Sequence, residues 1–352
     1  MKADVLKAGL KAIYYTGTHR LLEPYTQGQG LIFMLHQVNP SLPGDFAPNH
    51  ILTVSPDFLD AVLAQVRESG FDIVTLDEAV ERLRSPAGPQ HRFACFTLDD
   101  GYRDNRDHAL PVFERHAAPF TVYVPSDFAQ GRGELWWFAL ERIIAAHDEV
   151  EMTLDPEAGE PERFRTHTAS EKQAAFDRLY WWLRAIPEER QRAAMRKLCA
   201  AYGLDQAALC RELIMSWEEL ADFAAHPLVT IGSHTRAHYA VAKLEPERAR
   251  EEMREGADRL EAELGDRPRH FSFPYGDPAS AGPRDFALAD ELGFTTAVTT
   301  RKGMLFPQHA DHLTALPRVS LNGAYQSLIY TRLYLSGAPF ALWNAFRRVD
   351  AA

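Results

Sequence analysis

Two adjacent aspartates, Asp99 and Asp100, directly follow a mostly apolar run in the stretch FACFTLDDGYRDN, residues 93–105. Successive side chains of a strand point to opposite faces, but relaxation at the strand end can turn both carboxylates into one cleft. Two carboxylates this close repel each other unless a cation or a proton resolves the conflict. Gly101 allows the sharp turn that follows. The pair therefore indicates either a site where a cation or a proton lies between the two carboxylates, or an ordinary turn or helix cap.

Two histidines four residues apart, His234 and His238, follow another apolar run in the motif IGSHTRAHY. One helical turn or a tight loop places both imidazoles on the same side. Two histidines plus a carboxylate suit a divalent transition metal such as zinc, with a position left open for water. The histidine spacing alone is weak in a chain with 14 histidines. Together with the aspartate pair at another strand end, it favours a metal site.

Short apolar segments that alternate with helix signals must position these two motifs. One helix is predicted after Ser55 as N-cap, with Pro56 at its first position and Gly70 as its stop. Alternating apolar strands and helices predict an α/β fold with a parallel sheet covered on both faces. In a barrel of such units the chemistry lies at the C-terminal ends of the strands. Eight strands are predicted, at residues 31–38, 72–76, 93–98, 120–126, 228–235, 270–276, 295–300 and 315–321.

The alternation is interrupted at residues 134–215, where the sequence predicts helices separated by a polar loop, DPEAGEPERF. Four of the six tryptophans of the chain lie there, in two adjacent pairs. We interpret this stretch as a helical insertion in a single domain that spans residues 1–352.

Composition excludes several function classes. A net charge of −11 argues against nucleic acid as the main partner, because a phosphate-binding surface needs concentrated Lys and Arg. Three cysteines, Cys95, Cys199 and Cys210, form neither a disulfide framework nor a CxxC zinc motif. We identify no signal peptide and no run of roughly 20 apolar residues, so a cytoplasmic location is expected. The apolar C-terminal segment 328–346 is expected to pack on the protein, with peripheral contact to the inner membrane surface as the alternative.

The motifs TLDDGY, SHTRAH and FSFPYG together resemble the NodB-homology polysaccharide deacetylases, carbohydrate esterase family 4. The resemblance covers most of the chain, with LIFMLHQV, FDIVTLDE, TLDDGYRDN, APFTVYVPS, ELWW, MSWEEL, IGSHTRAH, FSFPYG, LGFTTAVTT and LPRVSL occurring in that order. It implies a distorted (β/α) barrel and metal-dependent hydrolysis of N-acetyl groups on amino sugars of glycans. It therefore implies an amino-sugar glycan as substrate, and we predict no protein partner.

By this resemblance Asp99 is the general base, and Asp100, His234 and His238 hold the metal. Zinc is the expected ion, with cobalt or nickel as alternatives. The metal lowers the pKa of its bound water and polarises the acetyl carbonyl, and Asp99 takes the proton of the attacking water. In one branch of the family, a histidine at the end of an N-terminal strand protonates the leaving amine. LIFMLHQV matches that strand, so His36 is the candidate acid, with a hydrogen-bonded core histidine as the alternative.

The motif FSFPYG departs from the commonest family pattern, because Ser272 stands where many members have an arginine that pairs with the catalytic aspartate. We hypothesise that Arg318, in LPRVSL, replaces this ion pair. The alternative is an ordinary salt bridge at the surface or the core rim.

Substrate contacts are also implied by the resemblance. The backbone N–H near Tyr275 would hold the oxyanion, in a turn shaped partly by Gly276. Trp136 and Trp137 are candidates for stacking on a sugar ring, and Trp181 and Trp182 are weaker ones, although tryptophans in helical insertions are more often core residues.

Two other functions stay open. A barrel of this type can hydrolyse a small non-sugar amide or imide, and the tryptophan-rich insertion favours a sugar only weakly. A glycan-binding protein with a decayed site is the non-enzymatic alternative. The presence of Asp99, Asp100, His234 and His238 together argues against decay.

Overall fold

A sheet of eight parallel strands forms the centre of the molecule, for which a computed structural model describes residues 2–41, 43–85, 91–154 and 160–351. The strands of the chain are β1 (Gly30–Leu35), β2 (Gln37–Val38), β3 (Thr53–Val54), β4 (Phe71–Ile73), β5 (Arg92–Asp99), β6 (Phe120–Val124), β7 (Glu149–Met152), β8 (Glu162–Arg165), β9 (Val229–Ser233), β10 (His270–Ser272), β11 (Thr296–Val298) and β12 (Val319–Ser320). The order in the central sheet is β11-β10-β9-β6-β5-β1-β12, and β4 pairs with the start of β5. A parallel bridge between Val298 and Leu316 connects the two ends of this order. The strands therefore form a distorted (β/α) barrel, as predicted.

Helices connect and cover the strands. They are α1 (Lys2–Tyr15), α2 (Thr18–Thr26), α3 (Pro56–Glu68), α4 (Leu76–Arg84), α5 (Leu110–Arg115), α6 (Ser126–Ala129), α7 (Trp136–Ala146), α8 (Ala169–Ala185), α9 (Glu188–Ala201), α10 (Gln206–Leu213), α11 (Trp217–Ala224), α12 (Pro246–Leu264), α13 (Pro283–Glu291), α14 (Leu328–Ser336) and α15 (Ala338–Trp343). The sequence signals for α3 are confirmed, because the Ser55 hydroxyl accepts a hydrogen bond from the N–H of Phe58 and Pro56 is the first helical residue. In the part of the chain that the structure describes, no helix is long and apolar enough to cross a membrane.

All eight predicted apolar segments overlap a strand of the central sheet. The strand β5 shows why, since every residue from Phe93 to Asp99 is buried. A parallel sheet with helices on both faces has no solvent face, so its strands are continuously apolar. At the C-terminal end of β5 this apolar run gives way to the two aspartates.

Residues 134–215 are largely helical, as predicted, with four helices, and they also form a short β-hairpin, which the sequence analysis did not predict. Strands β7 and β8 pair antiparallel, with Val150 opposite Phe164. The prediction of a polar loop is wrong for residues 162–164, because pairing with β7 gives their backbone groups partners that local composition does not reveal. Residues 155–159 of that loop lie outside the described residues. The helices α7 to α10 bury an apolar cluster that also includes Tyr102 and Phe128.

Both ends of the chain form helices that pack together on the barrel. The helix α14 is largely buried, and α2 packs against both α14 and α15. The expected packing of the C-terminal segment on the protein is therefore confirmed. Part of this segment nonetheless stays exposed, including Trp343 and Phe346 at 62% and 59% of their surface.

Candidate active site at the strand ends

A cavity of about 420 Å³ opens where the C-terminal ends of the central strands meet. Its volume lies in the range of small-molecule sites. The candidate catalytic and metal-binding residues come from the ends of four different strands, β1, β5, β9 and β10, or from the loops that follow them. The cavity is lined by His36, Asp99, Asp100, His234, His238 and Tyr275. The structure thus brings together residues that are up to 239 positions apart in the chain.

The backbone at Asp100 explains how neighbouring carboxylates face the same cavity. Asp99 is the last residue of β5, and Asp100 has a left-handed conformation with φ of 78°. This conformation ends the alternation of side chains along the strand. His238 and Tyr275 also have positive φ values, both 62°. Such conformations cost free energy in residues other than glycine and are concentrated at functional sites.

Asp99 forms a buried ion pair with Arg318, which is 1% exposed. Two nitrogens of the guanidinium donate to the two carboxylate oxygens, each over 2.7 Å. The same guanidinium donates to the hydroxyls of Thr97 at 3.1 Å and Ser272 at 2.9 Å. Burial acts to raise the pKa of Asp99, but the charge and hydrogen bonds of Arg318 outweigh it and lower the pKa to about 2. Asp99 is therefore an ionised and oriented carboxylate.

Asp100 lies within reach of both histidines. Its Oδ1 atom is 3.3 Å from Nε2 of His238 and 3.6 Å from Nε2 of His234. One ligand atom from each of these three buried residues lies within 4.8 Å of the other two. Oδ1 is also buried and has no hydrogen-bond partner among the described residues. An acceptor that is buried without a donor costs free energy, and a cation at this position would satisfy it.

The protonation of this group also suits a metal. Burial, followed by the charge of Asp99, raises the pKa of Asp100 to about 8, so its anion needs a positive partner. Burial lowers the pKa of His234 to about 4 and that of His238 well below its usual range, so both imidazoles are neutral at neutral pH. Nδ1 of His234 donates to the carbonyl of Ser272 at 2.6 Å, which leaves Nε2 as the free ligand atom.

His36 lies in the bend between β1 and β2, on the wall of the same cavity. Its backbone carbonyl accepts a hydrogen bond from the side chain of Asn105 at 2.8 Å, which fixes this bend to the loop after β5. Burial lowers the pKa of the imidazole, and the charge of Asp99 opposes this effect. His36 is therefore placed beside the aspartates, with its ring free of hydrogen bonds to described residues.

Tyr275 lines the cavity and is held from two sides. Its hydroxyl accepts a hydrogen bond from the indole of Trp136 at 2.8 Å, and the guanidinium of Arg184 lies 3.6 Å from its ring centre. The N–H of Tyr275 has no acceptor among the described residues. Gly276 allows a close approach, because a Cβ there would lie 2.6 Å from the nitrogen of Thr300.

The tryptophans differ from expectation in their positions. Trp136 is 4% exposed, packs on Tyr180 and does not line the cavity, so it supports Tyr275 and offers no face to a sugar. Trp137 lines the cavity but is only 5% exposed. Trp181, one of the weaker candidates, lines the cavity with 67% of its surface exposed. It lies one helical turn after Asp177, which also lines the cavity but was not identified from the sequence. The spacing of four residues on a helix was the available signal.

Residues 87–297 match the family described as polysaccharide deacetylase. The solved structure of IcaB from Ammonifex degensii is similar at 18% identity with a TM-score of 0.54, covering 88% of this chain and 97% of that chain. The deacetylase PplD of Streptococcus pyogenes in complex with acetate is similar at 15% identity and TM-score 0.53, covering 83% and 92%.

A de-N-acetylase from Aggregatibacter actinomycetemcomitans is similar at 13% identity with a TM-score of 0.53, covering 86% of this chain and 99% of that chain. At these identities the structural likeness shows a shared fold. A comparison with curated protein sequences finds no match.

Proposed function

Because this chain belongs to the polysaccharide deacetylase family, we propose that it hydrolyses the N-acetyl groups of amino sugars in a glycan, with the help of a divalent metal. The main support is one arrangement in the cavity. An ionised carboxylate, Asp99, is fixed by Arg318 next to a buried group of one aspartate and two histidines. This arrangement combines a base with a cation site at the place where a barrel of this type carries its chemistry.

We assign the metal to Asp100, His234 and His238. The unpartnered Oδ1 of Asp100 and the two neutral imidazoles fit a divalent cation, and the mixed nitrogen and oxygen donors suit zinc, cobalt or nickel. When bound, such a cation lowers the pKa of water and withdraws electron density from a carbonyl oxygen. The Ser272 carbonyl orients His234 for this role.

Asp99 acts as the general base in this proposal. Its low pKa keeps it ionised at neutral pH, and its carboxylate lines the cavity where a water molecule would attack the acetyl carbon. The ion pair with Arg318 stops the carboxylate from turning toward the cation site and replacing Asp100 as ligand. Removal of a proton by a positioned side chain typically accelerates a reaction by about 10²- to 10⁴-fold.

His36 donates the proton that the leaving amine requires. An amine is a poor leaving group until its nitrogen is protonated, so amide hydrolysis needs an acid on the side of the sugar nitrogen. Its lowered pKa makes a protonated His36 a stronger acid than an ordinary imidazole. Asn105 is a positioning residue, because it holds the backbone of His36.

The substrate is positioned by groups on the cavity wall. The free N–H of Tyr275 is the candidate donor to the oxyanion that forms during attack. Gly276 makes this turn possible, since a side chain there would meet the backbone of Thr300. Trp181 offers an exposed aromatic face for a neighbouring sugar of the glycan, and the Asp177 carboxylate can accept hydrogen bonds from its hydroxyl groups.

The proposal is tested by acetate release from N-acetylglucosamine oligomers with metal-loaded protein. Wild type should release acetate, and Asp99→Asn should lose about 10²-fold or more of the rate while it keeps the same metal content. Metal binding without acetate release from any N-acetylated sugar would refute glycan deacetylation and support hydrolysis of a small non-sugar amide. Full activity in Asp99→Asn would refute the assignment of the base.

A further inference from the structure

An apolar groove lies between the first helix and the last helix of the chain, outside the cavity described above. Its volume is about 400 Å³. One wall is the face of α1 that carries Val5, Leu6 and Leu10, and the other is formed by Leu342 and Trp343 of α15. The floor includes β12 and the ring of Tyr325. The groove is wide and apolar enough to take a hydrocarbon chain.

The walls of this groove are unusually exposed for apolar side chains. Val5 is 68% exposed, Trp343 is 62% exposed and Leu342 is 46% exposed. They form one continuous lining and are not scattered single residues. Contiguous exposed apolar surface on a folded protein marks a place where something else binds.

Cations accompany this apolar lining. The Lys302 ammonium lines the groove and lies 4.3 Å from the centre of the Trp343 ring. Lys7 of α1 lies 5.3 Å from the ring centre of Tyr325. A tryptophan beside a lysine is the combination found where proteins meet the headgroup region of a bilayer.

The charge of the terminal segments contrasts with that of the whole chain. Residues 1–26 and 321–352 together contain seven Lys and Arg and three Asp and Glu, a net charge of +4 in a chain whose net charge is −11. A second copy of the chain would bring two such positively charged pairs of segments together if it bound symmetrically, which is unfavourable. An anionic surface is the complementary partner.

We propose that the groove between α1 and α15 binds an anionic lipid bilayer, with a lipid acyl chain between the helices and the flanking lysines at the headgroups. This site is independent of the deacetylase reaction.

The groove and the catalytic cavity lie on two sides of the same pair of turns. The turn Gly323–Tyr325 contributes to the groove and packs against the turn Pro48–Leu52, which lines the cavity. A Cβ on Gly323 would lie 2.2 Å from the carbonyl oxygen of His50, so these turns are in close contact. Binding at the groove would therefore hold the cavity near the bilayer.

The test is sedimentation with vesicles of phosphatidylcholine alone and of phosphatidylcholine mixed with phosphatidylglycerol. Wild type should bind the anionic vesicles, and binding should weaken as salt increases, because surface charges are screened. The double variant Leu342→Ser/Trp343→Ser should bind about ten-fold or more weakly, since it removes exposed apolar side chains from the lipid contact. The matched control is Trp181→Ser, which removes an equally exposed tryptophan elsewhere and should bind like wild type.

Three results would overturn the proposal. One is absence of binding to anionic vesicles at low salt, and another is unchanged binding by the double variant. The third is a dimer in solution that the double variant dissociates, which would make the groove a contact between copies. Acetate release from water-soluble oligomers serves as a separate readout, and the double variant should retain it. A failure of lipid binding and a failure of the deacetylase proposal are therefore distinguishable.

Discussion

Replacement of Arg318 by methionine tests how the site keeps its base ionised. Arg318 is fully buried, and its guanidinium donates to both oxygens of Asp99. Methionine fills a similar apolar volume but leaves the Asp99 carboxylate buried without its cation. Loss of one partner of a buried ion pair typically costs about 3–5 kcal/mol of folding free energy. The variant should therefore be less stable, and its activity should depend differently on pH.

The size of the pH effect follows from the pKa of Asp99. Arg318 lowers this pKa from its ordinary value of 3.8 to about 2, against the opposing effect of burial. That difference corresponds to roughly 2.5 kcal/mol. In wild type, this stabilisation is fully present above pH 3.8 and is lost as the pH falls through about 2. In Arg318→Met burial still raises this pKa, and only the weaker effects of His234 and His36 oppose it. The pKa should therefore rise above 3.8, and the acid limb should move up by about two pH units.

The assay is kcat/KM for acetate release as a function of pH at saturating metal. Arg301→Met is the matched control, because Arg301 is also buried, at 7% exposure, but contacts Asp350 and not Asp99. It should lose stability without moving the acid limb. Adding Ser272→Arg to Arg318→Met should move the limb back down, since the Ser272 hydroxyl lies 2.9 Å from the present guanidinium. An unchanged profile in Arg318→Met would refute the reasoning.

Three further predictions concern the acid, the substrate wall and the pH dependence of stability. His36→Gln should slow acetate release from amides about 10²-fold or more but spare 4-nitrophenyl acetate, whose leaving group needs no proton; equal losses on both substrates would exclude the acid role. Trp181→Ala should raise KM for oligomers about three- to ten-fold with little change in KM for the monosaccharide, whereas Trp343→Ala should leave both KM values unchanged. An unchanged KM for oligomers in Trp181→Ala would refute the role of Trp181 in sugar binding. Burial lowers the pKa of His309 from 6.5 to about 4, so between these pH values the unfolded chain binds a proton that the native protein does not. The free energy of unfolding of wild type should therefore fall by on the order of 3 kcal/mol from pH 6.5 to 4, and urea unfolding should show a smaller fall in His309→Gln. An equal dependence of the free energy of unfolding on pH in the two proteins would contradict this.

The barrel could be predicted from the sequence because its strands are buried on both faces. A continuous apolar run that stops at polar residues, as in β5 before Asp99, identifies a parallel strand and its functional end together. The same logic placed His36 and His234 at strand ends on the same rim. The hairpin β7–β8 was missed because its strands are short and polar, and its pairing depends on a partner segment and not on local pattern.

The details of the site depended on contacts that sequence spacing does not encode. The left-handed conformation of Asp100 turns both carboxylates into the cavity, and an aspartate before a glycine does not by itself predict this conformation. Trp136 and Trp181 are both tryptophans of adjacent pairs in the insertion, but one is buried and one exposed. Only the packing of α7 and α8 against the barrel separates the supporting residue from the one that faces the cavity.

Titration of metal-free protein with zinc, with bound metal and acetate release followed in the same samples, tests the central claim most directly. We predict one bound zinc per chain, a rate that rises in proportion to occupancy and levels off at one equivalent, and complete loss of activity with a chelator. His238→Ala should bind zinc at least about ten-fold more weakly in the same titration. Acetate release that is unaffected by complete removal of metal, or a chain that binds no divalent metal, would contradict the account.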